Sequence, residues 1–157
     1  MSWYEALKIV HILSATLLFG TGLGTAYYFW SACLTRNPVI IAAVGQRVIL
    51  ADWIFTGGSG IVQPVTGILL ARELGIALDE SWLVAALGLY ALAFACWAPV
   101  VWLQIAVARL AREAAAAGTS LGPEFARLVG LWFALGWPAF LALIATFALM
   151  VVKPALW

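Results

Sequence analysis

Four long apolar stretches govern what this chain can become. They run roughly Trp3–Leu34, Val44–Ala71, Trp82–Ala108 and Phe125–Val152. Each exceeds the ~20 residues that cross a ~30 Å hydrocarbon layer at ~1.5 Å rise per residue. Helices of that length must tilt or project from the bilayer. Of the 157 residues 66 % are hydrophobic and 10 % charged, where an ordinary soluble domain carries about 25 % charged residues. No water-soluble fold of this size could hide so much apolar surface. The reading is all-α and integral to the membrane: a four-helix transmembrane bundle, up-down-up-down, with residues 1–157 forming one four-span domain whose first partner is the lipid bilayer.

The breaks carry turn chemistry. Arg36-Asn37-Pro38 follows the first span, Leu74 to Glu80 links the second to the third, and Gly118 to Pro123 separates the third from the fourth. Asp79 or Ser81 is placed to cap the third helix. Trp3, Trp82 and Trp157 fall at one face, and Trp30, Trp102 and Trp132 lie towards the other, as expected of rings that favour the headgroup zone. Arg36, Arg47, Arg109, Arg112 and Arg127 mark one side, and Lys8, Arg72 and Lys153 the other. The arginine-rich side is therefore read as cytoplasmic. Both termini then face the opposite side. The first segment has no basic run before its apolar core, and Glu5 is acidic. It reads as a retained helix rather than a secretory signal.

Several functions are excluded or left without support. Net charge is +1 with no basic stripe, so nucleic acid is not a partner. Cys33 and Cys96 have no CxxC spacing and read as small buried side chains. There is no Ser/His/Asp set, no paired catalytic carboxylates and no phosphate loop. Enzyme activity would need a cofactor to supply it.

The few polar groups inside the spans are the candidates. His11 is the one histidine, ~12 Å below Trp3 by helix rise and three positions from Lys8 on a shared face. Its imidazole is either a metal ligand or a hydrogen-bonding pin between helices. In the second span Asp52, Thr56, Ser59, Gln63 and Thr66 fall within an arc of about 80° at 100° per residue. That stripe must face the bundle interior. Asp52 needs protonation or a partner in such a place, and Arg47 and Gln104 are the nearest candidates. It reads either as a proton or cation site or as a helix-end ion pair.

Glycines cluster at Gly20-Thr21-Gly22-Leu23-Gly24 and Gly57-Gly58-Ser59-Gly60. They allow close helix packing or the insertion of a flat macrocycle. Pro64, Pro99 and Pro138 lie inside three of the four spans, where each removes a donor and frees a carbonyl.

Lys8-x-x-His11 with Leu18 to Gly24, Ala51 to Thr56, Gln63-Pro64-x-Thr66-Gly67, Cys96 to Gln104 and Gly136-x-Pro138-Ala139-Phe140 resembles a bacterial integral-membrane family catalogued as domain-of-unknown-function family 2269. The resemblance covers nearly the whole chain and implies a multi-pass protein of the bacterial cytoplasmic (inner) membrane, whose termini the arginine count makes periplasmic. More distantly, Lys8-x-x-His11 with its glycine cluster is similar to the first helix of the haem-binding membrane protoporphyrinogen oxidase and of the copper-resistance D family. That distant similarity implies a haem or metal role for His11, and more loosely for Lys8. The chain departs from the oxidase pattern at Ser31 to Arg36, where a further histidine is expected.

Three functions follow. The first is haem b binding in a redox or tetrapyrrole-related role. His11 would ligate the iron, Ser59 or Gln63 would give a distal hydrogen bond, and Lys8 and Arg72 would meet the propionates. The second is a non-enzymatic scaffold, lipid-binding protein or partner subunit. The third is a small proton-coupled carrier using Asp52, with Thr56, Thr66 and Gln104 as further intramembrane polar groups. Such a carrier needs a homodimer, because four helices are few.

Overall fold

The computed structural model describes residues 1–157. It contains four long helices and no strand: α1 Trp3–Leu34, α2 Pro38–Glu73, α3 Ser81–Ala117 and α4 Pro123–Val152. The apolar pattern dictates the helices, and local polar chemistry sets their ends. Ser2 and Glu5 form a capping box on α1, with Ser2 N–H donating to Glu5 Oε2 at 2.7 Å and Glu5 N–H to Ser2 Oγ at 3.2 Å. Asn37 Oδ1 accepts from the Val39 and Ile40 amides at 3.0 and 3.4 Å, and Pro38 stands in the first turn. This cap starts α2 earlier than its apolar stretch does. α3 runs on past Ala108 through an alanine-rich tail of high helix propensity. It stops where Gly118 takes a left-handed φ of 64°.

The expected cap of α3 is not what the structure shows. Glu80 occupies the cap position and makes no side-chain cap bond. Ser81 instead ties down the C-terminal segment, its Oγ accepting from Leu156 N–H at 2.9 Å.

Only 32 of 157 residues are buried, so most of the apolar side chains face outwards. Leu13, Ile54, Ile61 and Leu141 are each more than half exposed, and each of the four helices is long and apolar enough to cross a membrane. An outer surface of this kind suits hydrocarbon and not water. The protein is an integral membrane protein with four candidate spans.

Hydrogen bonds pair α1 with α2, and α3 with α2, in opposite directions. Residues 11, 14 and 25 of α1 bond to 66, 63 and 52 of α2. Residues 90 and 104 of α3 likewise meet 60 and 52 of α2. The tightest packing lies towards the arginine-rich end, around Phe29, Ile41, Val107 and Ala111. There Gly45 lets α2 meet α3 so closely that an added Cβ would stand 2.8 Å from Ala108 Cβ. Close packing is thus the task of Gly45, whereas a Cβ added at Gly20, Gly22 or Gly24 would meet nothing within 4 Å. Trp132 belongs to this core and not to an interfacial belt. It is 5 % exposed and packs edge-on against Phe29, centroids 5.2 Å apart.

α2 is not regular throughout. Residues Asp52–Gly57 form a π-helical turn between two α-helical halves. Such a turn widens the helix locally and breaks the ordinary hydrogen-bond ladder. Two turns later Pro64 has no N–H to give to the Gly60 carbonyl. Tyr90 of α3 fills that role, its hydroxyl donating to Gly60 O at 2.7 Å.

Candidate functional site

The polar stripe of α2 splits into two clusters with different characters. The first gathers His11 and Ser14 of α1 with Gln63 and Thr66 of α2. The Thr66 hydroxyl donates to its own helix at Val62 O, 2.8 Å away, which leaves Thr66 Oγ1 as an acceptor. His11 Nδ1–H donates to it at 2.8 Å. Gln63 Nε2–H then donates to His11 Nε2 at 3.1 Å, and Ser14 Oγ–H donates to Gln63 Oε1. Donors and acceptors balance for a ring carrying its proton at Nδ1. Gly67 completes the seat, since a Cβ there would stand 3.1 Å from His11 Cε1. The cluster borders a hollow of about 150 Å³ reaching Trp82, Leu83 and Lys153.

Neither residue expected beside His11 at the outer interface joins this cluster. Lys8 is exposed, with its ammonium over the Tyr4 ring at 5.7 Å. Arg72 is exposed as well. Ser59 is buried on the same face of α2, between the two clusters.

The second cluster centres on Asp52, which is 4 % exposed. Thr25 and Thr56 hydroxyls donate to Asp52 Oδ1 at 2.9 and 3.2 Å, and Gln104 Nε2–H donates to Oδ2 at 3.1 Å. All three donors are neutral. Arg47, a candidate partner by sequence, is exposed and makes no ion pair with Asp52; the one ion pair in the chain joins Arg109 to Glu113 at 3.9 Å. Two buried polar atoms on neighbouring side chains have no partner at all: Gln104 Oε1 and Trp132 Nε1.

These side chains form the polar end of a cleft of about 610 Å³ to which all four helices contribute. Its walls are aromatic, with Trp30, Phe94, Trp97, Phe133 and Trp137 prominent. On α4 the lining runs from Trp132 to Ile144 and on α1 from Leu18 to Trp30, a length of ~18 Å by helix rise. α1 and α4 meet there largely through aromatic rings, Phe19 against Phe140 and Phe147 and Trp30 against Phe133. Lining residues Trp137, Leu141 and Ile144 are at least half exposed. The cleft therefore opens on the outer surface of the bundle. Gly22 lies in its α1 wall, where a missing side chain leaves space rather than close contact.

Asp52, Gln104 and Trp132 stand at one depth. Each is five positions inward of an arginine on its own helix: Arg47, Arg109 and Arg127. Five residues correspond to ~7.5 Å. The polar end of the cleft thus lies just inside the arginine-rich edge, and the apolar end reaches toward mid-bundle.

Of the sequence candidates, the structure brings His11, Gln63 and Thr66 together, and brings Asp52, Thr56 and Gln104 together. Thr25, Ser14 and Tyr90 escape sequence reading, and Trp132 figures there only as an interfacial ring. Of these only Tyr90 had a signal, because Pro64 leaves a carbonyl that requires a donor from elsewhere. No group of three or more His, Cys, Asp or Glu side chains is arranged to hold a metal ion.

No curated protein and no solved structure matches the chain. A family model described as predicted integral membrane protein matches residues 5–154. Four apolar spans, a lipid-suited exterior and that near-complete match agree: the chain belongs to the predicted integral membrane protein family, domain-of-unknown-function 2269.

Proposed function

We propose that this protein is a non-enzymatic membrane protein that binds a lipophilic small molecule in the cleft, with Asp52 marking its polar end. One observation carries this reading: an aromatic-lined space of about 610 Å³ ends on a buried carboxylate that has no cationic partner. The volume lies in the range of small-molecule sites, which are largely apolar with a few placed polar groups. The mouth faces the surface that lipid covers, so a membrane-dissolved ligand can enter sideways.

Haem b at His11 has less support from this geometry. The Nε2 lone pair is engaged by Gln63 and Nδ1 by Thr66, so iron would have to displace one of them. The adjoining hollow of about 150 Å³ is small for a macrocycle. A proton-coupled carrier would use the same Asp52, and the π-helical turn that holds it is its supporting observation. A homodimer is not needed to complete the cleft, because one chain supplies all four walls. In the membrane we place the bundle up-down-up-down in the bacterial cytoplasmic membrane, with the arginine-rich edge inside and both termini periplasmic.

Native mass spectrometry of detergent-purified protein tests the reading. Wild type should retain a small lipophilic adduct, and Gly22→Phe, which puts a ring into the cleft, should lose it while staying folded. An absorption spectrum of the same sample separates the alternatives. A Soret band that survives Gly22→Phe and vanishes in His11→Ala would overturn the proposal in favour of haem.

A further inference from the structure

The cleft is asymmetric along its length, and the asymmetry defines the chemistry of what it takes. At one end stand a buried carboxylate bonded only to neutral donors and an amide oxygen, Gln104 Oε1, with no donor. Gln104 is 2 % exposed and Trp132 5 %, so water does not satisfy them. Beyond them the walls are rings and aliphatic side chains over ~18 Å, about half the thickness of a bilayer's hydrocarbon core. A carboxyl group with no cationic partner and an amide oxygen with no donor are both answered by a donor that is also positive, Asp52 being ionised when the amine is bound. Aromatic faces around the same space favour a cation as well. The ordered row of Asp52, Gln104 and Trp132, all five positions inside an arginine, puts the polar end near the headgroup level.

Resting on the proposed function, we infer that the cleft selects an amphiphile whose polar end is a protonated amine, held at Asp52 and Gln104 with its apolar body lying along the slot toward mid-bilayer. The ammonium supplies the missing counter-charge and gives Gln104 Oε1 its donor. Trp132 Nε1–H remains available for an oxygen on the same ligand. Exclusion follows from the same groups: a carboxylate or sulfate at the polar end would face Asp52 and be repelled.

The test uses full-length protein in phosphatidylcholine nanodiscs, which carry no net surface charge. Dodecylamine, dodecanol and dodecyl sulfate are titrated separately, and quenching or enhancement of tryptophan fluorescence is followed. Dodecylamine should bind at least tenfold more tightly than dodecanol, and dodecyl sulfate should bind most weakly. Asp52→Asn keeps an oxygen for the Thr25 and Thr56 hydroxyls, meets Gln104 through an amide N–H once the Gln104 amide turns its oxygen round, and should erase the preference for amine over alcohol. Equal binding of amine and alcohol by wild type, or an unchanged preference in Asp52→Asn, would overturn the amine inference while leaving a lipophilic site standing. Absence of any binding that Gly22→Phe can abolish would sink the proposed function itself. A parallel titration with phosphatidylethanolamine in the discs identifies the source of the amine. Competition points to a lipid headgroup, and its absence to a free amphiphilic amine.

Discussion

The His11 and Asp52 clusters lie on one face of one helix, yet they do opposite things with their polar atoms. Around His11 each side-chain nitrogen and oxygen has a partner, in a relay from Ser14 through Gln63 and the imidazole to Thr66 and the backbone of α2. Around Asp52 the carboxyl group meets only neutral donors, two buried polar atoms on side chains lining the same cleft lack partners, and a large cleft begins. The first arrangement is a clamp between α1 and α2. The second is the polar end of the cleft that we propose takes a ligand. A rare polar residue in a membrane helix is a candidate for function and no more than that. What matters is whether its neighbours have already answered it.

The comparison breaks most visibly if the clamp is cut. Gln63→Leu removes both Gln63 bonds across the α1–α2 contact, leaves His11 Nε2 unanswered and returns the Ser14 hydroxyl to the His11 carbonyl of its own helix, 3.0 Å away. It should lower stability by about 2 kcal/mol, read as a drop in the midpoint of thermal unfolding in detergent. Tyr90→Phe strips the Gly60 carbonyl of its replacement donor and should cost about 1 kcal/mol by the same measurement. Gly67→Ala presses a methyl against His11 Cε1 and should cost ~0.5 kcal/mol, since the ring can give only slightly in a packed setting. Asp52→Asn should lie within ~0.5 kcal/mol of wild type or be stabilising, because it removes a charge that has no counter-charge in the bundle. A drop for Asp52→Asn as large as that for Gln63→Leu would dissolve the distinction between clamp and site.

Much of this was legible in the sequence. Apolar length fixes four spans because no other solvent accepts them. The 3.6-residue period puts Asp52, Thr56, Ser59, Gln63 and Thr66 on one interior face. Depth counting puts Gln63 near the level of His11 and Gln104 near that of Asp52, and the structure pairs both. The rest depends on tertiary geometry. The glycines that sustain close approach are Gly45 and Gly67, and only a partner helix reveals which glycines have a neighbour. The π-helical turn at Asp52 leaves no periodic signature in a helix apolar on most sides. The cleft is a property of space between α1 and α4, where ring size and helix spread combine, so neither Trp132 nor Gly22 announces it alone. Nor does His11 show in sequence that both of its nitrogens are spoken for.

Labelling by a lipophilic carbodiimide tests the central claim most directly. Dicyclohexylcarbodiimide reaches carboxyl groups through lipid, and its adducts are mapped by peptide mass. Asp52 should carry the adduct, Gly22→Phe or dodecylamine should protect it, and a water-soluble carbodiimide should leave it unmodified. Asp52 unreactive toward the lipophilic reagent, or labelled equally by the water-soluble one, would contradict a site that opens to the membrane.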